Sequence, residues 1–138
     1  IAEDDCTTRN MLTAITEKWG YTPIAVENGE AAWQVLRAEN DPPMLLLLDW
    51  NMPLLNGLQL CQRIRQQQTR NFPYIILLTA RSETTDIVDG LQAGSNDYMS
   101  KPFDNIELHA RLQVGQRILK QQADLNQTRD SLDSKKNN

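Results

Sequence analysis

The apolar positions of this chain fall into short unbroken runs separated by amphipathic stretches. Met44 to Leu48 is the clearest run and closes on Asp49. It is too short for a membrane span and lacks helical period, so it reads as a parallel strand buried on both faces. Asn51, Pro53, Asn56 and Gly57 mark the loop that follows, which puts the Asp49 carboxylate at the carboxyl end of a sheet, the edge where open α/β folds bind ligands. Tyr74 to Leu78 repeats the pattern and ends on Thr79, and the short run Asp97 to Ser100 leads into Lys101-Pro102-Phe103. Ile1-Ala2 reads as the end of a strand whose beginning is absent, in a piece of a longer protein, and Tyr21 to Val26 as an edge strand, because Pro23 removes a ladder donor.

Between these runs the period changes to that of helices. Thr7 or Thr8 is the expected cap of a first helix carrying Leu12, Ile15 and Trp19 on one stripe, with Gly20 as its stop. Further helices are expected over Glu30–Glu39 (Ala32, Val35 and Leu36 inward), Gly57–Gln67 (Leu58, Cys61 and Ile64 inward) and Thr84–Ala93 (Ile87, Val88 and Leu91 inward). A fifth starts from an Asp104 cap with Ile106, Leu108 and Leu112 inward. Five βα units in this order predict a doubly wound α/β fold: a five-stranded parallel sheet with right-handed crossovers and helices on both faces. Past Gln113 the sequence stays rich in helix formers. Ile118, Leu125 and Leu132 recur every seventh residue but Gln122 and Arg129 interrupt the seam, so a single amphipathic stalk is expected rather than a strong coiled coil. The chain divides as 1–120, the globular domain, and 121–138, a helical stalk toward an output domain.

Composition narrows the possibilities. With 138 residues and 40% apolar content there is material for one core and no run long enough to span a membrane. Eighteen acidic against 14 basic residues give a net charge of −4, which argues against direct nucleic-acid binding by this segment. Cys6 and Cys61 have no ligand-like spacing and read as packing residues in a reduced, cytoplasmic setting.

The predicted strand ends gather polar residues at one edge: Glu3, Asp4 and Asp5 after strand one, Asp49 after strand three, Thr79 after strand four and Lys101 after strand five. Asp4, Asp5 and Asp49 would repel one another without a cation among them, and a sparse all-oxygen site with room for water suits Mg²⁺ better than Ca²⁺. Thr79 and Lys101 add a hydroxyl and a compact positive charge, a set suited to phosphate oxygens. Each has an ordinary reading by itself: the acidic pair as a solvated turn or cap, Asp49 as a loop residue, Thr79 as a helix cap, Lys101 as surface charge. Their convergence on one edge is what points to phosphoryl chemistry.

The pair Asp4-Asp5, the LLLDWNMP segment with Asp49, the LLTA segment with Thr79, and Lys101-Pro102-Phe103 together resemble the response-regulator receiver domain of two-component signalling, of the chemotaxis-regulator type, over residues 1 to about 120. The resemblance implies a flavodoxin-like (βα)5 fold and a phosphorylation-dependent switch. Asp49 would be the phosphoacceptor, taking a phosphoryl group from a sensor histidine kinase or histidine phosphotransfer protein. Asp4, Asp5, Asp49 and the main-chain carbonyl of Asn51 would bind Mg²⁺, with Asp5 the more direct ligand of the acidic pair. Thr79 and Lys101 would hold the phosphoryl oxygens, Thr79 and Tyr98 would form the switch, and the Lys101-Pro102 bond would be cis. A homodimer through helix four, strand five and helix five, or through the stalk, would also follow. Catalysis by this segment would extend only to its own phosphorylation and dephosphorylation.

Other residues carry less. His109 is the only histidine and reads as a surface or partly packed helix residue, Trp50 as an exposed loop aromatic flanking the site, and Arg81 as a position that tunes phosphate lifetime. The run ELHARLQVGQRIL is more like receivers joined to a diguanylate cyclase or phosphatase than to a winged helix. The competing function class is a pseudo-receiver that only binds or dimerises; the intact polar set favours the switch. A dehalogenase-like phosphatase is disfavoured because Asp4-Asp5-Cys6 supplies no D-x-D.

Overall fold

The computed structural model describes residues 1–38, 42–67, 72–80 and 84–136, with side chains for all of these except 84 and 129–136. Helices α1 (Cys6–Lys18), α2 (Gly29–Ala38), α3 (Gly57–Gln66), α4 (Thr84–Gln92) and α5 (Asn105–Lys136) alternate with strands β1 (Leu45–Asp49), β2 (Tyr74–Thr79) and β3 (Asp97–Ser100). The three strands are parallel in the order β1-β2-β3, with Asp49 level with Leu78 and Thr79 level with Ser100. The two expected N-terminal strands are present as parallel bridges, Ala2 to Leu48 and Ala2 to Val26. The sheet therefore continues past β1 to the Ile1–Ala2 segment and then to the Tyr21–Val26 segment at its edge.

Both faces of the sheet are buried because successive side chains of an all-apolar strand point to opposite sides. Leu46, Leu48, Ile75 and Leu77 join Trp33, Leu60, Cys61 and Ile64 from α2 and α3. Leu47, Tyr74, Ile76, Leu78 and Met99 join Leu12 from α1 and Leu108 and Leu112 from α5. This is the three-layer, doubly wound arrangement that the alternating pattern predicts. Among the described residues no helix is long and apolar enough to cross a membrane.

Two expectations change. First, α1 is capped by Asp5, whose side chain accepts from the Thr8 main-chain N–H at 2.9 Å and from the Thr8 hydroxyl, and not by Thr7 or Thr8. Second, Val88, Leu91 and Ile106 are exposed, and Cys6 is exposed while Cys61 packs. The buried positions here are Gly90 within α4 and Ala93 just past its end, because the closest approach of helix to sheet falls on small residues and turns the larger ones outward. Helix α5 runs on through position 120 without a break and is fastened to the rest of the domain around that point. The Gln122 carboxamide accepts from the Phe72 N–H and donates to the Phe72 carbonyl, both at 3.2 Å, and Leu119 packs on the core. The helix spans 32 residues, roughly 48 Å at 1.5 Å per residue.

Candidate functional site

The carboxyl end of β1 is where the site forms. Asp49 is 5% exposed at the end of the strand, and the N-terminus of α3 presses directly on its main chain. A Cβ at Gly57 would fall 2.3 Å from the Asp49 carbonyl oxygen, so only glycine admits this approach. Because Ala2 lies beside Leu48 in the sheet, the next residue of the N-terminal segment, Glu3, reaches the level of Asp49, and it is 1% exposed. Lys101 enters from the loop after β3, its main-chain N–H donating to the Thr79 carbonyl at 2.8 Å. Its ammonium donates to both Glu3 carboxylate oxygens at 2.9 and 3.0 Å and lies 3.3 Å from Asp49 Oδ2. The Lys101-Pro102 bond is cis, as the family resemblance implies.

The acidic cluster differs from the expected one by a single residue. Carboxylate oxygens of Glu3, Asp4 and Asp49 all lie within 4.8 Å of one another. Asp5 is not brought into this group; it is exposed and committed to capping α1, and the hydrogen bonds from Thr8 hold its pKa below the usual carboxylate value. The physical reason is local: a residue that supplies the first N–H groups of a helix with an acceptor points along the helix and not into the sheet edge. Glu3, which the sequence reading puts at the end of strand one but leaves out of the acidic set, takes that place. Its signal was its place as the first polar residue after a strand, the same place that marks Asp49 and Thr79.

Electrostatics follow from this crowding. Burial, and then the neighbouring Glu3 carboxylate, raise the Asp49 pKa to about 7 against the opposing pull of Lys101. Burial alone would lower the Lys101 pKa, but the hydrogen bonds and charges of Glu3 and Asp49 outweigh it and the net shift is upward. Three oxygen acids around one ammonium leave excess negative charge, a donor set that fits a hard divalent cation such as Mg²⁺. Asn51 is exposed in the loop and its main-chain N–H donates to Asp49 Oδ1 at 3.4 Å.

The remaining expected residues are placed as follows. Thr79 is fully buried at the end of β2, one residue past the partner of Asp49. Tyr98 is half-buried on β3. Trp50 is 4% exposed and its ring meets that of Tyr98 edge-on with centroids 6.3 Å apart, so it is a core residue and not an exposed loop aromatic. His109 is stacked on Trp19 at 4.2 Å, away from the acidic cluster. Arg81 lies outside the described residues.

Fold and site together define an α/β domain with a buried aspartate, an ion-paired lysine and an acidic cluster suited to a cation at the carboxyl edge of a parallel sheet. Residues 1–113 match the family model of the response regulator receiver domain, and the chain belongs to that family. It is 38% identical over 116 residues to the phosphate regulon transcriptional regulatory protein PhoB of Escherichia coli K12, covering 83% of this chain and 49% of that protein. It is also 38% identical over 114 residues to the alkaline phosphatase synthesis transcriptional regulatory protein PhoP of Bacillus subtilis, covering 83% and 46%. The chain thus spans about half the length of these curated relatives. Among solved structures, it resembles the receiver domain of sensor histidine kinase PA1611 from Pseudomonas aeruginosa PAO1, which has a magnesium ion coordinated in its active site cleft (TM-score 0.71, 35% identity, 83% of this chain and 92% of that one). A receiver domain of a Syntrophus aciditrophicus histidine kinase gives a TM-score of 0.74 at 32% identity, covering 86% of each chain. Membership of this family carries a role in phosphorylation-based two-component signalling.

Proposed function

We propose that this domain is a phosphoryl-accepting switch in which Asp49 takes a phosphoryl group from a phosphohistidine of a sensor kinase or a histidine phosphotransfer protein. The observation that carries the reading is the Lys101 ammonium shared between Glu3 and Asp49 beside the Glu3–Asp4–Asp49 oxygen cluster. Glu3, Asp4 and Asp49, with the Asn51 main-chain carbonyl, would hold Mg²⁺, and Asp5 drops out of that set. The bound ion supplies positive charge against the phosphoryl oxygens.

In the transfer, an Asp49 carboxylate oxygen forms a bond to phosphorus as the bond from phosphorus to the histidine nitrogen breaks; the electron pair stays on that nitrogen, and a ring protonated on its other nitrogen leaves as neutral imidazole, with an acyl phosphate on Asp49. Such transfers need placement and charge more than covalent help. Lys101 neutralises phosphoryl oxygen charge, and the Thr79 hydroxyl hydrogen-bonds another oxygen. Thr79 and Tyr98 then carry the change to the face of α4, β3 and α5, where Val88, Leu91 and Ile106 are exposed apolar residues suited to a partner or a second copy. Residues 121–138 would act as a stalk toward an output domain.

Acetyl phosphate with Mg²⁺ tests the assignment. Intact-mass measurement should find one added phosphoryl group on the parent and none on Asp49→Asn. An adduct that persists in the variant would overturn the assignment.

A further inference from the structure

The residue after Asp49 is placed to do more than fill the core. Trp50 is pinned through its main chain on both sides: its N–H donates to the Leu78 carbonyl at 2.9 Å and its own carbonyl accepts from the Gly57 N–H at 3.0 Å. Through the peptide bond it also joins the Asp49 end of β1, so it links that strand end to β2 and α3. Its ring stands edge-on to Tyr98, with planes at 80°.

Helix α4 crosses this aromatic pair at Gly90. A Cβ at that position would lie 3.4 Å from Cζ3 of Trp50, 3.4 Å from Cδ2 of Tyr98 and 3.2 Å from Cδ1 of Leu77. The helix thus rests on the ring edges with no side chain between. Glycine within a helix is an unfavourable choice, and Gly90 is not in the left-handed region, where glycine would be needed for its backbone. A methyl there would touch both rings and press by a few tenths of an ångström on the end of Leu77, filling the gap between helix and rings.

Just past Gly90 the chain is tied down. The Gly90 carbonyl accepts from the Ser95 hydroxyl at 2.8 Å and the Ser95 N–H at 3.3 Å, Cys61 Sγ donates to the Ala93 carbonyl at 3.4 Å, and Arg65 Nε donates to the Gly94 carbonyl at 2.9 Å. With its carboxyl end anchored, α4 meets a shift of either ring at Gly90, where no side chain of the helix intervenes. Densely packed contacts of this kind move between discrete arrangements rather than yielding gradually.

We propose that Trp50 is a positioning residue of the switch, and that Trp50, Gly90 and Tyr98 form a joint through which the state of the Asp49 carboxylate sets the position of α4. The inference rests on the phosphoryl-switch reading above and adds a route through the residue next to the phosphoacceptor.

Fluorine NMR of the full chain labelled with 5-fluorotryptophan tests it. The three tryptophans give three resonances, assigned by Trp→Phe substitution, and beryllofluoride held at Asp49 gives its own signal in the same spectrum. Adding beryllofluoride and Mg²⁺ should move the Trp50 resonance by more than its linewidth while Trp19 and Trp33 stay in place. In Gly90→Ala the bound beryllofluoride signal should still appear but the Trp50 shift should be lost. Tyr98→Phe, which keeps the ring edge, should retain the shift, and Tyr98→Leu should lose it. A Trp50 shift of full size in both Gly90→Ala and Tyr98→Leu would mean that the indole merely senses the nearby ligand, and would overturn the joint. A bound signal without any Trp50 shift in the parent would overturn it too. Absence of the bound signal in the parent would instead count against the switch reading, and with it this inference.

Discussion

Asp49→Asn should stabilise the domain, and only at neutral to alkaline pH. The carboxyl is buried beside Glu3 and its pKa is raised from 3.8 to about 7. An acid whose pKa is higher folded than unfolded takes up a proton on folding, so its contribution is best below the unfolded value and stability falls as pH rises from about 4 to about 7. A shift of this size corresponds to about 4 kcal/mol at roughly 1.36 kcal/mol per pH unit. Asparagine is an uncharged stand-in for the protonated acid, and its amide can donate to Glu3 in place of the lost proton. Allowing for relaxation around a site still partly served by Lys101, a gain of about 1 to 3 kcal/mol at pH 8 is expected, or roughly 3 to 10 °C in Tm. At pH 4 the parent carboxyl is already protonated and the two proteins should unfold together. Urea titrations of both proteins with a chelator present, at pH 4, 6 and 8, measure the difference directly. Equal stability at all three values, or a variant weaker than the parent at pH 8, would refute the picture of a carboxylate crowded by Glu3.

Three further outcomes follow from the site and the long helix. Asp4→Asn should weaken Mg²⁺ binding tenfold or more in calorimetry, whereas Asp5→Ala should bind Mg²⁺ close to normally and instead lower Tm through loss of the α1 cap; the reverse pattern would restore Asp5 as the ligand. Thr79→Ala should accept phosphate from acetyl phosphate yet lose most of the phosphorylation-dependent change in partner binding, a coupling of about 1 to 3 kcal/mol, which binding assays on the phosphorylated and bare forms would read. For the stalk, sedimentation of the whole chain with and without beryllofluoride, compared with a version cut at Gln113, should show self-association only when the helix is present; identical monomers in all samples would leave it an inert tether.

Much of this protein is decided by local sequence. An unbroken apolar run such as Leu45–Leu48 must be a strand buried on both faces, and the polar residue that ends it must sit at the sheet edge. That reasoning places Asp49, Thr79 and Lys101 without any knowledge of contacts, and the helix formers after Gln113 likewise determine a long α5. Local sequence cannot choose among three consecutive acids. Glu3 reaches the site because Ala2 pairs with Leu48 and Val26, a register between segments far apart in sequence, while Asp5 is taken by the start of α1. Tertiary packing also decides which face of an apolar-rich helix turns inward, since Ile87, Val88 and Leu91 offer α4 one stripe and Gly90 and Ala93 another, and the sheet meets the helix at Gly90, against Leu77, Trp50 and Tyr98. The same holds for Gln122: nothing in a run of glutamines marks the one whose amide will meet the Phe72 main chain, because that partner comes from a different strand end, brought near only when the sheet and α5 have packed.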